Sequence, residues 1–270
     1  MSVILENATD DELIRANQRN LMDYFKLTSE HSEDIHYYKE EGVEGLYCPE
    51  LPAGVVNRII KTEERKDNLA QMIKRGCRFY QGKKSALFWE VWPSISPSNM
   101  EDILKGEGFR YSSDYPAMAI PLDQVQQEDL NNLKIKEVES KVEARLFADL
   151  FQEIYQLPDI AGNSFYELVI HAGFNEDLVS YIGYEYGKPV CISVVYYSAG
   201  VAGIYNVGTR SDHCRKGYGR LITAYPLMDA KKRGYQYAVL QSSDQGEKVY
   251  QRMGFREQCR VLRLEGGGKA

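Results

Sequence analysis

The sequence predicts a mixed α/β protein in two halves, and three patterns carry that expectation. Apolar, β-branched runs alternate with segments whose apolar residues recur every three or four positions. A basic stretch punctuated by glycines, Gly208 to Leu221, joins a strand-like run to a helix-like one. Near residues 86–120 and again near 237–264, a strand, a helix, a Gly-Phe pair and a strand follow one another. At 270 residues the chain has room for two domains. The polar, weakly periodic stretch Leu122 to Asn132 reads as the linker between them. The expected boundaries are residues 1–125 and 130–265.

Each element has its own signal. Asp11 to Phe25 is helical, with Leu13, Leu21 and Phe25 as core residues. Lys66 to Gly76 reads as a second helix and Ala86 to Trp92 as a strand. Ser98 to Lys105 reads as a capped helix ending in Gly106-Glu107-Gly108-Phe109, before a strand around Ala117 to Ile120. In the second half, Lys134 to Val138 is a strand. Lys141 to Gln156 is an amphipathic helix with Val142, Leu146, Leu150 and Ile154 on its apolar stripe. Leu157-Pro158 and Gly162 read as breakers before a helix from Ser164 to Ala172. Leu178 to Tyr184 and Val190 to Tyr197 form a hairpin across Tyr186-Gly187-Lys188-Pro189. Val201 to Val207 is a strand, Leu221 to Gly234 a helix with cations in its last turn, and Tyr237 to Ser242 a buried strand. Asp244 to Met253 is helical and Val261 to Leu264 is the last strand, with a disordered tail expected over residues 266–270.

The loop carries the chemistry. Glycines let a backbone come close to a ligand, freed N–H groups point outward, and the dipole of the following helix favours an anion. The loop lacks the Gly-Lys-Ser/Thr ending of a P-loop and the Gly-x-Gly-x-x-Gly of a dinucleotide fold. Cys214-Arg215-Lys216-Gly217-Tyr218-Gly219 resembles instead the Arg/Gln-x-x-Gly-x-Gly/Ala signature of the GCN5-related N-acetyltransferase (GNAT) superfamily. Cys214 departs from its first position, which contributes mainly backbone in that family. Tyr237 to Gln241, the helix carrying Tyr250, and Gly254-Phe255 resemble the family's second half. The resemblance covers Leu133 to Leu264.

It implies an acyl-CoA N-acyltransferase fold, a mixed and twisted sheet flanked by helices, with two parallel strands splayed around a pantetheine arm. It implies that the backbone of Val207, Gly208 and Thr209 lines the arm and that the N–H groups of Arg215, Lys216, Gly217, Tyr218, Gly219 and Arg220 bind pyrophosphate. It implies that Tyr250 protonates the departing thiolate, a task that suits a phenol at neutral pH. The first half reads as a degenerate copy of the same fold, with Leu104 where Tyr250 stands, or as an unrelated α/β cap. No general base stands out: Tyr205 and Asn206 are poor ones, Asp212 and His213 are expected to face solvent, Glu185 sits at a hairpin turn, and Asp244 reads as a helix cap.

The leading reading is an acetyl-CoA-dependent N-acetyltransferase acting on a primary amine, small molecule or peptide, by direct attack in a ternary complex. The alternatives are a non-catalytic acyl-CoA sensor and an acyltransferase using a larger donor such as aminoacyl-tRNA. A net charge of −6 argues against a nucleic-acid surface. Five scattered cysteines and four dispersed histidines give no metal-ligand spacing. The acidic start and the lack of a long apolar run lead to an expectation of no signal sequence, no membrane span, and a cytoplasmic protein with free thiols. A homodimer is left open.

Overall fold

In the computed structural model, residues 3–40, 42–51, 56–63, 69–80, 86–126, 129, 132–174 and 177–266 are described. The first half contains α1 (Asp10–Glu30), β1 (His36–Glu40), β2 (Val43–Tyr47), β3 (Arg58–Thr62), α2 (Leu69–Tyr80), β4 (Leu87–Val91), α3 (Met100–Gly106) and β5 (Arg110–Pro121). The second contains β6 (Leu133–Glu137), α4 (Lys141–Tyr155), α5 (Asp159–Ala172), β7 (Leu178–Glu185), β8 (Lys188–Ser198), β9 (Val201–Thr209), α6 (Tyr218–Lys232), β10 (Tyr237–Gln241), α7 (Asp244–Met253) and β11 (Arg256–Gly266).

The eleven strands among the described residues form one sheet, in the order β1-β2-β3-β4-β11-β5-β10-β9-β8-β7-β6. Each half builds an antiparallel ribbon, then a parallel pair: β3 with β4, and β9 with β10. The last strand of each half then crosses over. β11 pairs with β4 and β5 pairs with β10, and the two exchanged strands lie antiparallel to each other at the centre.

The repeat seen in the sequence extends to the helix ends. Gly108 (φ +89°) and Gly254 (φ +99°) both end their helices in the left-handed region, which a Cβ disfavours. Phe109 N–H donates to the Leu104 carbonyl and Phe255 N–H to the Tyr250 carbonyl, both at 3.0 Å, the same helix-ending bond in each half. Leu104 is fully buried.

Helices cover both sheet faces. Leu178 and Ile182 of β7 join a cluster with α1, α4 and α5, whereas Val179 and Tyr181 point to the other side and join a cluster with α6. The second side of the first half holds Met72, Ile73, Trp89, Met100 and Leu104. α6 carries Pro226 in its interior, which removes the N–H that would bond the Ile222 carbonyl one turn back. Ser193 Oγ donates to that carbonyl instead, at 2.8 Å.

Several expectations need correction. Of the expected α4 stripe, Leu150 is buried and Leu146 and Ile154 pack on the core, but Val142 is 81% exposed and Ala144, Phe147 and Ala148 are buried, so the stripe is rotated toward them. Gly162 does not break a helix: α5 starts at Asp159, right after Pro158, and contains it. Ser243, not Asp244, caps α7, its side chain accepting from the Gly246 N–H. The linker begins as a docked turn: Leu122 and Val125 are buried, and Lys231 Nζ donates to the Asp123 and Val125 carbonyls at 3.2 Å. Residues 66–68 of the second expected helix, residues 127, 128, 130 and 131 of the linker and residues 267–270 of the tail lie outside the described residues. β1, β2 and β3 were not anticipated.

Candidate active site

The loop after β9 runs into α6 with Gly217 at its start, in the left-handed region at φ +84°. The first N–H groups of any α-helix have no carbonyl one turn back to bond. Thr9 caps α1, Ser140 caps α4 and Ser243 caps α7. α6 has neither a side-chain cap nor an acidic residue in its first turn. No acidic residue of its own first turn meets its positive dipole end. A Cβ on Gly217 would meet nothing within 4 Å, and one on Gly219 would meet only the Thr209 hydroxyl, at 3.9 Å. Cys214, Arg215, Lys216, Gly217 and Arg220 are exposed around this open space, while Tyr218 is buried.

β9 and β10 are paired only at Ala202–Ala238 and Gly203–Val239. Beyond that point they part, leaving Ile204 to Thr209 as one lip and Leu240 to Ser242 as the other. β9 carries a bulge here, with Asn206 at φ +49°. Gly208 lets α4 come close, since a Cβ there would lie 2.6 Å from Ile154 Cγ2. The Val207 carbonyl accepts from the Tyr155 hydroxyl at 2.8 Å, so this lip is already partnered from the α4 side.

Tyr250 comes from α7, beside the far lip. Its ring packs on Phe255, 5.7 Å between centroids, and its hydroxyl reaches α6, where it is hydrogen-bonded to Thr223. Thr223 Oγ1 donates to the Gly219 carbonyl at 2.8 Å. Tyr250 thus connects the far lip to the helix that begins at the glycine loop. Burial pushes its phenol up to about 12, against a smaller opposing effect of Thr223. At neutral pH it holds its proton.

No family model and no curated protein matches the sequence. Solved structures do match. A GCN5-related N-acetyltransferase from Kribbella flavida superimposes with a TM-score of 0.70 over 94% of this chain and 96% of its own, at 18% identity. A tandem GNAT protein from the clavulanic acid biosynthesis pathway gives 0.66 over 99% and 98%, at 12% identity. A GCN5-related N-acetyltransferase from Sphaerobacter thermophilus gives 0.63 over 86% and 75%, at 14% identity. The chain has a tandem GNAT fold.

Within this GNAT fold, α1 of the first half lies across the second half's cleft, on the face opposite α6 and α7. Tyr24 stacks on Tyr205 at 4.2 Å, and its hydroxyl accepts from Asn206 Nδ2 at 2.8 Å. Asn20 Oδ1 accepts from the Tyr205 hydroxyl at 2.7 Å. Tyr205 and Asn206, expected to be poor bases, are both held in these bonds. The lips carry no carboxylate. His213 does not face solvent as expected: its ring lies between Glu185 and Asp212, at 3.2 and 2.7 Å. Asp212 itself is exposed. Sequence reasoning missed Tyr24 and Tyr155 at the cleft. Both sit on helices whose relation to β9 only the tertiary fold supplies. Among the described residues no group of His, Cys, Asp and Glu is arranged to hold a metal ion, and no helix is long and apolar enough to cross a membrane.

Proposed function

We propose that the second half is an acetyl-CoA-dependent N-acetyltransferase that acts on a primary amine by direct attack in a ternary complex. The observation that carries this reading is the uncapped, acid-free N-terminus of α6, opening beside strands that part after two pairs. An anion is favoured at the first feature, and an extended arm fits between the lips of the second. The N–H groups of residues 215–219 would hold the diphosphate, that of Arg220 already donating to the Gly217 carbonyl at 3.1 Å, and the backbone of Val207, Gly208 and Thr209 would line the arm. Val207 offers its N–H more readily than its carbonyl, given the bond from Tyr155.

In the chemical step the amine nitrogen bonds to the thioester carbon and the carbon–sulfur bond breaks. The sulfur takes the Tyr250 proton, and solvent restores it. With no carboxylate on either lip, the amine gives its own proton to water. The first half has no glycine-basic loop after its parallel pair and supplies α1 to the acceptor face. A non-catalytic acyl-CoA sensor would use the same loop but have no need of a phenol beside the far lip.

Two measurements test the reading. Coenzyme A release with acetyl-CoA and a panel of primary amines should be detected for at least one amine; binding without release under every amine favours the sensor. Gly219→Val is the cleaner loop variant, because Gly217 has a backbone conformation that strains any side chain. The protein alone has room for a side chain at Gly219. Acetyl-CoA affinity should fall at least about tenfold, or about 1.4 kcal/mol, with the melting temperature retained. Unchanged affinity by calorimetry removes the loop from the cofactor site.

A further inference from the structure

Three loop residues converge on one carboxylate that the loop does not contain. Lys216 Nζ lies 3.1 and 3.0 Å from the two carboxylate oxygens of Glu185. His213 Nε2 lies 3.2 Å from Glu185 Oε2, and the Tyr218 hydroxyl donates to Glu185 Oε1. These three residues stand before, within and after the turn that leads into α6. Glu185 and His213 are only 13% and 16% exposed, so the carboxylate is largely covered although Lys216 and the loop backbone are open.

Glu185 itself is fixed from the other side. It ends β7 and pairs with Lys188 across a two-residue turn, Tyr186 (φ +48°) and Gly187 (φ +80°), both left-handed as such hairpins require. The carboxylate is therefore mounted on a rigid hairpin two strands away from β9.

An anion beside a diphosphate site works against binding unless it is neutralised and serves another purpose. Here Lys216 neutralises it, which means Lys216 is not the loop's free cation. The purpose lies in the backbone. Arg215 (φ +64°) and Gly217 (φ +84°) are left-handed, and ordering such loop residues costs conformational entropy. A loop held before the ligand arrives does not incur that cost on binding.

We propose that Glu185 is a positioning residue for the α6 loop. Through Lys216, His213 and Tyr218 it holds the N–H groups of residues 215–219 in their diphosphate-binding arrangement in the free protein. This rests on the acetyl-CoA reading of the site.

The test uses the full chain, Glu185→Ala, calorimetry with coenzyme A, and amide hydrogen exchange without ligand. Exchange over residues 213–220 should accelerate in the variant, while exchange in β8 and β9 stays as in the wild type. Coenzyme A should bind at least about tenfold more weakly. Glu185→Gln keeps an acceptor for Tyr218 but loses the charge facing Lys216, and should fall between the two. Faster exchange spread through β7, β8 and β9 means a merely structural role and overturns the proposal. So does unchanged loop exchange, or unchanged affinity. A wild-type protein that does not bind coenzyme A overturns the acetyl-CoA reading, and this proposal with it; wild-type binding with an unaltered variant overturns this proposal alone.

Discussion

Tyr250→Phe removes one hydroxyl and keeps the ring against Phe255. If that hydroxyl protonates the leaving sulfur, kcat should fall by roughly 10²–10⁴ while acetyl-CoA affinity stays level, because a group acting on developing charge contributes mainly to the transition state. A residual kcat within about threefold of wild type makes Tyr250 a packing residue. The pH profile adds a second readout. An ordinary tyrosine titrates near 10, and burial pushes this one up to about 12. The proton donor is lost only as pH rises through that higher value. The wild-type kcat should therefore show no falling limb from Tyr250 between about pH 7 and about pH 9.5. The sequence pointed to this residue through Gly254-Phe255. It did not point to the Thr223 bond that joins it to α6, because that contact depends on how far apart two helices stand.

The parallel pair of the first half also registers at only two positions, Arg58–Phe88 and Ile59–Trp89, and Glu90 on β4 ties its strands together through side chains. Glu90 is fully buried between Arg58 Nη1 at 2.9 Å and Arg263 Nη2 at 3.4 Å, and Trp92 Nε1 donates to it at 3.4 Å. Burial alone would raise its pKa, but the two guanidiniums override that and hold it below the ordinary carboxylate range. Glu90→Gln would leave two cations without their anion, which costs about 3–5 kcal/mol. Wild type and variant should differ fully above about pH 4.3, the unfolded value, and converge as pH falls through the lower folded value. A thermal-melt series against pH checks both; a loss under about 1 kcal/mol at neutral pH means the arginines find other partners. The three residues come from β3, β4 and β11, so no local pattern announces them. At this scale the elements with a strong period or a glycine stop were legible: α1, α6, α7, β4, β7 to β10. β1 to β3 were not, because short strands carrying Lys39, Glu44, Arg58 and Lys61 lack the alternation that marks a strand. The rotated stripe of α4 has a similar cause. Val142 lies in the first turn of α4 and is exposed, so its apolar character decides nothing there.

The exchange of β5 and β11 decides what the whole chain must do to fold. The sequence shows two similar halves with a polar segment between them, which invites the picture of two separable domains. The sheet order ties them together instead. Every residue of β10, Tyr237 to Gln241, pairs with a residue of β5, from Pro121 back to Ala117. Met118 and Ile120 of β5 share a core cluster with Ala238, Leu240 and Phe255 of the second half. A fragment of residues 132–270 would therefore keep the glycine loop and Tyr250 but lose the strand that stands between β10 and β11. Both strands would show unpaired edges, which promote aggregation, and the apolar side chains under β5 would meet water. That fragment alone should be insoluble or molten. Supplying residues 1–126 as a separate chain restores every strand pair without restoring the covalent link. The two fragments co-expressed should copurify and bind coenzyme A with an affinity close to that of the intact chain. Size-exclusion chromatography and calorimetry on the pair check this. A soluble, cooperatively melting fragment of residues 132–270 would show that the second half closes its own sheet, and that the exchanged strand adds acceptor-side structure rather than stability.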